Sequence, residues 1–205
     1  MEFKMEKIKN RIAIIGSGNI GCAIAEGLLD AKIISANKLT LTKRNLNTLE
    51  KFKSIGVTIT TNNTDAVKNS TIILIAVTPQ KLDSVLDEIK DIINPKKHII
   101  LSVITGADIS EFKTKLGGNI PVVRVMPNTA IAVGKSMTCL CSNDKGSQRL
   151  AVAEAIFNRL GTTISIPEQQ MQAATVVCAS GVAFWMRLIR ATTQAAIQLG
   201  FDAEE

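Results

Sequence analysis

The sequence has few of the side chains that usually carry protons in enzyme reactions. Its 205 residues include no tyrosine and a single histidine, His98. The lack of tyrosine excludes the short-chain dehydrogenase mechanism, and the lack of any lysine after Lys145 excludes hydroxyacid oxidation by a lysine of a C-terminal helix. His98 begins a predicted strand at the end remote from the edge where ligands bind, so we do not expect it to be a catalytic acid.

Composition also argues against nucleic-acid, metal and membrane partners. Aromatic residues make up 3% of the chain, and the net charge of +6 comes from scattered cations rather than a basic patch with stacking aromatics. The cysteines form no C-x-x-C pair and have no histidine nearby, so we expect no metal site; they are Cys22, Cys139, Cys141 and Cys178. We find no signal-peptide core and no apolar run of membrane-spanning length, which predicts a cytoplasmic protein.

Strand and helix patterns alternate along most of the chain. Hydrophobic residues make up 46% of it, and with so few aromatics the core must be Ile, Leu, Val and Ala, as in a parallel sheet covered on both faces. Strand patterns occur near residues 11–15, 38–43, 56–59, 71–77, 98–104, 120–126, 136–141 and 162–166, with helices between them that include 44–54 and 145–160. The pattern predicts an α/β fold with a Rossmann-like, doubly wound, mostly parallel sheet over residues 11–166, preceded by a leader, 1–10.

A glycine-rich turn follows the first strand, in the segment RIAIIGSGNIG (residues 11–21). Its pattern is Gly16-x-Gly18-x-x-Gly21, followed by a helix-forming run. Gly16 would permit a tight turn, Gly18 would let the backbone approach phosphates, and Gly21 would let the helix pack on the strand. The helix N-terminus offers free N–H groups to an anion, so this stretch predicts a dinucleotide site.

The end of the second strand favours NADP(H) over NAD(H). NAD-binding proteins usually place an acidic residue here, to hold the ribose hydroxyls. This chain instead has Thr42-Lys43-Arg44-Asn45, with two cations and no acid. A guanidinium can pair with the 2′-phosphate of NADP, which a carboxylate would repel.

The region after Pro167 has a different character. Residues 168–201 read as one nearly continuous helix rich in Ala, Val, Ile and Leu, with a kink expected at Ser180-Gly181. A helix that is apolar on most sides needs burial against another chain or domain. We therefore assign residues 167–205 to the start of a helical dimerisation domain and expect a homodimer or higher homo-oligomer.

The missing proton-transfer groups also limit the reaction. An imine is more basic than a carbonyl, so it can arrive as the iminium and accept hydride with little acid–base help. The cofactor would supply the chemistry while the protein orients and shields the reactants. The sequence therefore predicts an oxidoreductase with a small-molecule imine substrate.

The chain resembles the pyrroline-5-carboxylate reductase family from about Arg11 to its C-terminus. The residues that carry the resemblance are Ile15–Leu29 (IGSGNIGCAIAEGLL), Asn63-x-x-Ala66-Val67, Ala76–Gln80 (AVTPQ), Arg124–Thr129 (RVMPNT) and the segment from Glu168 through Thr175 to Phe184. The resemblance implies NADPH-dependent reduction of 1-pyrroline-5-carboxylate to L-proline, in proline biosynthesis, by hydride transfer to the C=N bond.

The resemblance also implies roles for individual residues. Ser180 and Thr175 would hold the substrate, and Asn128 would place the nicotinamide beside it. The implied cofactor-binding residues are Gly16, Ser17, Gly18, Asn19, Ile20, Gly21, Thr42, Arg44, Asn63, Ala76, Val77, Thr78, Pro79, Val103, Ile104 and Thr105.

Some positions depart from the family pattern. Thr78 replaces a lysine, Gln172 replaces an aspartate, and CASGVAF (residues 178–184) replaces Ser-Gly-Ser-Gly-Pro-Ala-Tyr. A later Ser-Pro-Gly-Gly-Thr-Thr segment of the family is absent, so we expect a divergent or C-terminally truncated member. Two alternatives stay open: a non-catalytic NADP-binding protein on this scaffold, and a reductase for another imine or a deazaflavin-linked NADP oxidoreductase.

Overall fold

The computed structural model describes residues 10–147 and 149–202, so the expected leader lies outside it except for Asn10. Within the described residues, eight strands form one sheet in the order β3-β2-β1-β4-β5-β6-β7-β8. The strands are β1 (Ile12–Ile15), β2 (Leu39–Thr42), β3 (Thr58–Thr60), β4 (Ile72–Ile75), β5 (Ile99–Ser102), β6 (Val122–Met126), β7 (Ser136–Ser142) and β8 (Gly161–Ser165). Neighbouring strands are parallel except β6 and β7, which confirms the predicted doubly wound, mostly parallel class.

Helices cover both faces of the sheet. The α-helices are α1 (Asn19–Asp30), α2 (Glu50–Lys53), α3 (Asn63–Lys68), α4 (Pro79–Ile89), α5 (Ile109–Leu116), α6 (Asp144–Ser147), α7 (Leu150–Phe157), α8 (Met171–Ala174) and α9 (Gly181–Gln198). Short 3-10 segments lie at Ala36–Lys38, Leu46–Leu49, Thr129–Val133 and Glu168–Gln170, and a π-helical segment lies at Thr175–Ser180.

The strand residues alternate between two hydrophobic cores. In β1, Ile12 and Ile14 pack into the core that includes residues of α1 and α7, and Ala13 and Ile15 pack into the core that includes residues of α3, α4 and α5. All four β1 residues are buried, as expected for a central parallel strand with helices on each side.

The strand register places the ends of three strands level with one another. Ile15, the last residue of β1, pairs with Thr42 on β2 and with Ile75 on β4. The strand order reverses at β1, because β2 follows on one side of it and β4 lies on the other. In doubly wound sheets this reversal opens a crevice outside the carboxyl ends of the strands, where ligands bind.

Two predicted helices are wrong in extent. The helix predicted over residues 145–160 is two pieces, α6 and α7, because the turn of α6 is held against β6. Asn143 Oδ1 accepts hydrogen bonds from Val122 N–H at 3.1 Å and Gly146 N–H at 2.6 Å, and a Cβ on Gly146 would lie 2.4 Å from the Val122 carbonyl oxygen. The helix predicted over residues 44–54 is a 3-10 segment followed by the single turn α2, since Asn45 caps the 3-10 turn by accepting from Asn47 N–H.

The C-terminal segment, Glu168–Gln198, is continuously helical over 31 residues. The kink predicted at Ser180-Gly181 is a π-helical segment that ends at Ser180 and passes directly into α9. By length and composition this segment could cross a membrane, since its most apolar 18 residues have a mean hydropathy of 1.4, and 6% of those residues are buried. This corrects the expectation that no stretch has membrane-spanning length. It does not by itself indicate a membrane, because a helix that packs against another chain has the same composition.

His98 precedes β5 and provides a test of this packing. Its side chain is 3% exposed, Nδ1 accepts a hydrogen bond from Asn94 N–H at 3.0 Å, and Nε2 has no hydrogen-bond partner among the described residues. Burial, followed by the nearby Lys97 charge, lowers the pKa of His98 below its usual 6.5. The folded state therefore favours the neutral imidazole over the protonated one.

We expect the free energy of unfolding to fall as the pH drops below about 6.5, since the unfolded chain then takes up a proton that folded His98 excludes. His98→Asn keeps an acceptor for Asn94 N–H but does not titrate, so its loss of stability between pH 7.5 and 5.5 should be smaller. Urea denaturation of both proteins at the two pH values measures the difference. Equal losses in the two proteins would contradict the assignment.

Candidate active site

The turn after β1 can be made only by glycine at position 16. Gly16 has a φ of +88°, in the left-handed region that glycine favours. A Cβ at this position would lie 2.5 Å from Val77 Cγ1 and 2.9 Å from the carbonyl carbon and oxygen of Ala76. Because residue 16 has no side chain, the end of β1 can lie directly against the backbone that follows β4.

The other two glycines of the motif differ from one another. A Cβ on Gly21 would lie 2.9 Å from the Gly16 carbonyl oxygen, so α1 packs closely on the turn, as predicted. A Cβ on Gly18 would meet nothing within 4 Å, since Gly18 lines the open crevice. Asn19 and Ile20 start α1, which has neither a capping side chain nor an acidic residue in its first turn. The first N–H groups of α1 are thus free to bind an anion, which fits a dinucleotide pyrophosphate.

Ser17 and Thr42 support the turn from behind. Ser17 is fully buried, its N–H donates to the Thr42 carbonyl oxygen at 2.9 Å, and its hydroxyl donates to the Ile14 carbonyl oxygen at 3.4 Å. Thr42 is 2% exposed, and its hydroxyl accepts from Gly16 N–H at 3.3 Å. We interpret both side chains as supports that fix the turn.

The crevice outside β1, β2 and β4 has a volume of about 430 Å³ and collects eight of the sixteen predicted cofactor-binding residues. It is lined by Ile15, Gly16, Gly18, Thr42, Lys43, Arg44, Thr61, Asn63, Ala76, Val77, Thr78, Lys81, Ser84, Val85 and Glu88. Pro79 is the first residue of α4 and is not among the lining residues. Six lining residues were not predicted: Ile15, Thr61, Lys81, Ser84, Val85 and Glu88. The last four are three or four residues apart, a spacing that places them on one side of a helix.

Positive charge dominates this crevice. Lys43 is half-buried and Arg44 is exposed, and Lys81 is exposed on α4. Among the described residues, none of the three forms an ion pair. Glu88 also lines the crevice, where its Oε2 accepts a hydrogen bond from Asn63 Nδ2 at 2.6 Å. Asn63 is therefore oriented by Glu88, and its own Oδ1 remains available as an acceptor.

A second cavity of about 650 Å³ lies between the loop that follows β5, the start of α5, Arg124 on β6 and the start of the C-terminal segment. Its lining includes Thr105, from the predicted nicotinamide border, and Thr175, from the predicted substrate residues. Val103 and Ile104 belong to the same predicted border, but their side chains are 8% and 3% exposed and pack in the two cores. A ligand could therefore contact these two residues only through their backbone atoms.

Asn128 joins the end of β6 to the C-terminal helical segment. Its side chain is buried, Nδ2 donates to the Cys178 carbonyl oxygen at 2.9 Å, and Oδ1 accepts from Ala130 N–H at 3.0 Å. Thr175 lies one helical turn before Cys178 and donates its hydroxyl hydrogen to the Met171 carbonyl oxygen at 2.9 Å. Ser180 is exposed and lines neither of the two cavities.

An ion-pair cluster, which the sequence analysis did not predict, ties the two regions together. The Arg124 side chain is 7% exposed, and its Nη1 lies 2.6 Å from Asp108 Oδ1 and 3.0 Å from Glu168 Oε1. Glu168 Oε1 also accepts from Ile109 N–H at 2.8 Å, at the start of α5. A buried guanidinium is stable only when it is paired, so this cluster fixes where the C-terminal segment begins.

The cysteines behave as apolar residues. Cys139 and Cys141 share one core, and burial raises the pKa of both thiols to about 11, so neither is a thiolate at neutral pH. Across residues 10–147 and 149–202, no group of three or more His, Cys, Asp or Glu side chains could hold a metal ion.

A glycine turn at the switch point of a doubly wound sheet, an uncapped helix N-terminus and a cationic wall together define a dinucleotide-binding oxidoreductase scaffold. Residues 11–106 match the family model described as NADP oxidoreductase coenzyme F420-dependent, and residues 168–205 match the one described as pyrroline-5-carboxylate reductase dimerisation.

Individual relatives agree with these matches. Pyrroline-5-carboxylate reductase 1 of Dictyostelium discoideum is 43% identical over 213 residues, which span 98% of this chain but 38% of that protein. Pyrroline-5-carboxylate reductase 2 of the same organism is 37% identical over 215 residues, which span 97% of this chain and 72% of that protein. Plasmodium falciparum pyrroline carboxylate reductase, solved with NADP bound, is 27% identical with a TM-score of 0.84, and the match covers 97% of this chain and 73% of that one. This chain belongs to the pyrroline-5-carboxylate reductase family.

The glycine turn offers a matched pair of substitutions. Gly16→Ala should destabilise the fold by about 1 to 3 kcal/mol, because it combines a left-handed φ with close contacts to Val77 and Ala76. Gly18→Ala should leave stability unchanged but weaken NADPH binding, because its Cβ projects into open space that a ligand would fill. Urea denaturation and calorimetric titration with NADPH distinguish the two effects. A Gly18→Ala protein that binds NADPH as the wild type does would contradict this role.

Proposed function

We propose that this protein reduces 1-pyrroline-5-carboxylate to L-proline with NADPH. The proposal is carried by the presence, on one sheet, of a dinucleotide-type crevice and of a C-terminal segment that is matched to pyrroline-5-carboxylate reductases and is held at the end of β6 by the bond from Asn128 to the Cys178 carbonyl. The NADP-bound Plasmodium falciparum relative supports the choice of cofactor. The cationic end of β2, which carries Lys43 and Arg44, supports it independently.

The residues of the crevice fit the cofactor. The pyrophosphate would be held by the backbone of the turn at Gly16 and Gly18 and by the N-terminus of α1. The adenosine end would lie between Arg44 and Asn63, and the segment Ala76, Val77 and Thr78 would line the adenosine and nicotinamide riboses. When bound, the reduced nicotinamide supplies the hydride for the carbon of the C=N bond.

The protein's contribution to the reaction is positional. The second cavity brings Thr105 and Thr175 to one space, and Asn128 holds the π-helical segment beside it. We assign Thr175 to substrate binding and Asn128 to holding the nicotinamide and substrate regions in register. Because the iminium form of the substrate accepts hydride without a protein acid, this arrangement needs no catalytic histidine or tyrosine.

We infer that the C-terminal helix packs on a second copy of the chain. Phe184, Trp185, Leu188 and Ile189 of α9 are each more than half exposed, which a stable single chain in water rarely tolerates in one patch. The match of residues 168–205 to a dimerisation model supports a homodimer or higher homo-oligomer. On this basis we divide the chain into a nucleotide-binding domain, 11–166, and a dimerisation segment, 167–205. We also propose that the protein works in the cytoplasm, where its four free cysteines would stay reduced.

One observation favours a second function. Ser180, which lies in the segment that departs from the family pattern, is exposed and lines neither cavity. A non-catalytic NADP-binding protein would retain the crevice and lack turnover.

Mixing the protein with NADPH and 1-pyrroline-5-carboxylate should oxidise NADPH and produce proline. Thr175→Val should lower kcat/KM by about 3- to 10-fold, through loss of one hydroxyl in the second cavity. Thr114→Val is a matched control, because Thr114 makes the same bond to the carbonyl four residues earlier but lines neither cavity. Tight NADPH binding with no proline formed would instead support the non-catalytic function.

The oligomer can be tested on α9 separately. Leu188→Glu should convert the protein to a smaller species in analytical ultracentrifugation, because a carboxylate cannot be buried in an apolar interface without a partner. Ile55→Glu is the control, since Ile55 is equally exposed but far from α9 in the sequence. A wild-type protein that sediments as a monomer would contradict the assignment.

A further inference from the structure

The crevice has cations on two of its walls. Lys43 and Arg44 follow β2, and Lys81 projects from α4. The residues that α4 contributes to the lining are Lys81, Ser84, Val85 and Glu88, which lie on one side of the helix, and Thr78 lines the crevice just before it. Lys81 is thus part of the crevice and not of the general surface of α4.

Lys81 is held close to the start of α4. Thr78 precedes the helix, and its carbonyl oxygen accepts a hydrogen bond from Lys81 N–H at 2.9 Å. Positions 78 and 81 are therefore neighbours on the crevice wall, one helical turn apart. The family pattern places a lysine at position 78, where this chain has threonine.

The charges of the neighbouring residues leave Lys81 available to a ligand. Two other lysines near this helix are neutralised, because Lys90 pairs with Asp87, and Lys115 pairs with Asp83 and Asp87. Within the described parts of the chain, Lys81 makes no such pair. Glu88 is the crevice-lining carboxylate, and the Asn63 amide already binds it.

The charge of the crevice matches one particular ligand group. Three cations and one carboxylate leave an excess of two positive charges on the lining. A phosphate monoester carries a charge of about −1.5 to −2 near neutral pH. NADP(H) has such a group on its adenosine ribose, and NAD(H) does not.

We propose that Lys81 is a specificity-determining residue that binds the 2′-phosphate of NADP(H) from α4, opposite the cations that follow β2. Lys81 gives this wall the positive charge that the family pattern has at position 78, where this chain has threonine. The inference rests on the proposed function, because it assumes that the crevice binds this cofactor. It adds a residue that neither the glycine motif nor the end of β2 identifies.

The test uses two small probes, adenosine 2′,5′-bisphosphate and adenosine 5′-monophosphate, which differ in the 2′-phosphate. In calorimetric titrations the wild-type protein should bind the bisphosphate more tightly. Lys81→Met should weaken bisphosphate binding about tenfold, the loss of one charge-assisted contact, and leave monophosphate binding unchanged. Lys81→Arg should retain the preference. Lys113→Met is the control, because Lys113 is an exposed lysine of α5 that does not line the crevice.

The double variant Thr78→Lys/Lys81→Met should recover the bisphosphate affinity, because it moves the charge back by one turn. Unchanged bisphosphate binding by Lys81→Met, equal weakening of both probes, or failure of the double variant to recover would each overturn the inference. The titrations require no turnover. A wild-type protein that prefers the bisphosphate through Lys81 but reduces no substrate would support this inference and overturn the proposed function separately.

Discussion

The site depends on the lack of a side chain at Gly16. At this residue β1 ends against the backbone that follows β4, and no Cβ fits between them. Thr42 closes the turn from the other side, through its hydroxyl to Gly16 and its carbonyl to Ser17. The ends of three parallel strands, β1, β2 and β4, therefore lie side by side, and the crevice opens where the strand order reverses.

The same edge of the sheet also positions the C-terminal segment. Arg124 on β6 binds Glu168 at the start of this segment, and Asn128 binds the Cys178 carbonyl ten residues further along. These two contacts hold Thr175 between them, next to the second cavity. The π-helical segment, Thr175–Ser180, contains the second anchoring point, Cys178, so the helix departs from regular α-helical hydrogen bonding where Asn128 binds it. The sheet and the C-terminal segment are thus joined by the polar contacts of Arg124 and Asn128, and not only by the chain that links them.

Much of the fold could be predicted, because buried parallel strands have continuous apolar runs and the glycine spacing requires a strand, a turn and a helix in that order. The roles of Gly16 and Gly21 are confirmed by the contacts that a Cβ would make. The extent predicted for the helix over residues 145–160 was wrong, because Asn143 hydrogen-bonds to β6 and Gly146 packs closely against it. The periodicity of the sequence does not show such tertiary contacts. Lys81 was missed because the orientation of α4 about its axis is set by packing. Thr42 lines the crevice and also supports the turn through its hydroxyl, so its contact with the cofactor stays a prediction.

We propose that this chain directs hydride from a nicotinamide in the crevice to the C=N carbon of a pyrroline ring, without a proton-transfer residue of its own. The most direct measurement is the reaction with NADPH deuterated at nicotinamide C4 on the transferred face, followed by mass spectrometry and NMR of the product. We predict proline with one deuterium, on the ring carbon that was double-bonded to nitrogen. Proline without deuterium at that carbon, or no proline from a protein that binds NADPH, would contradict the account.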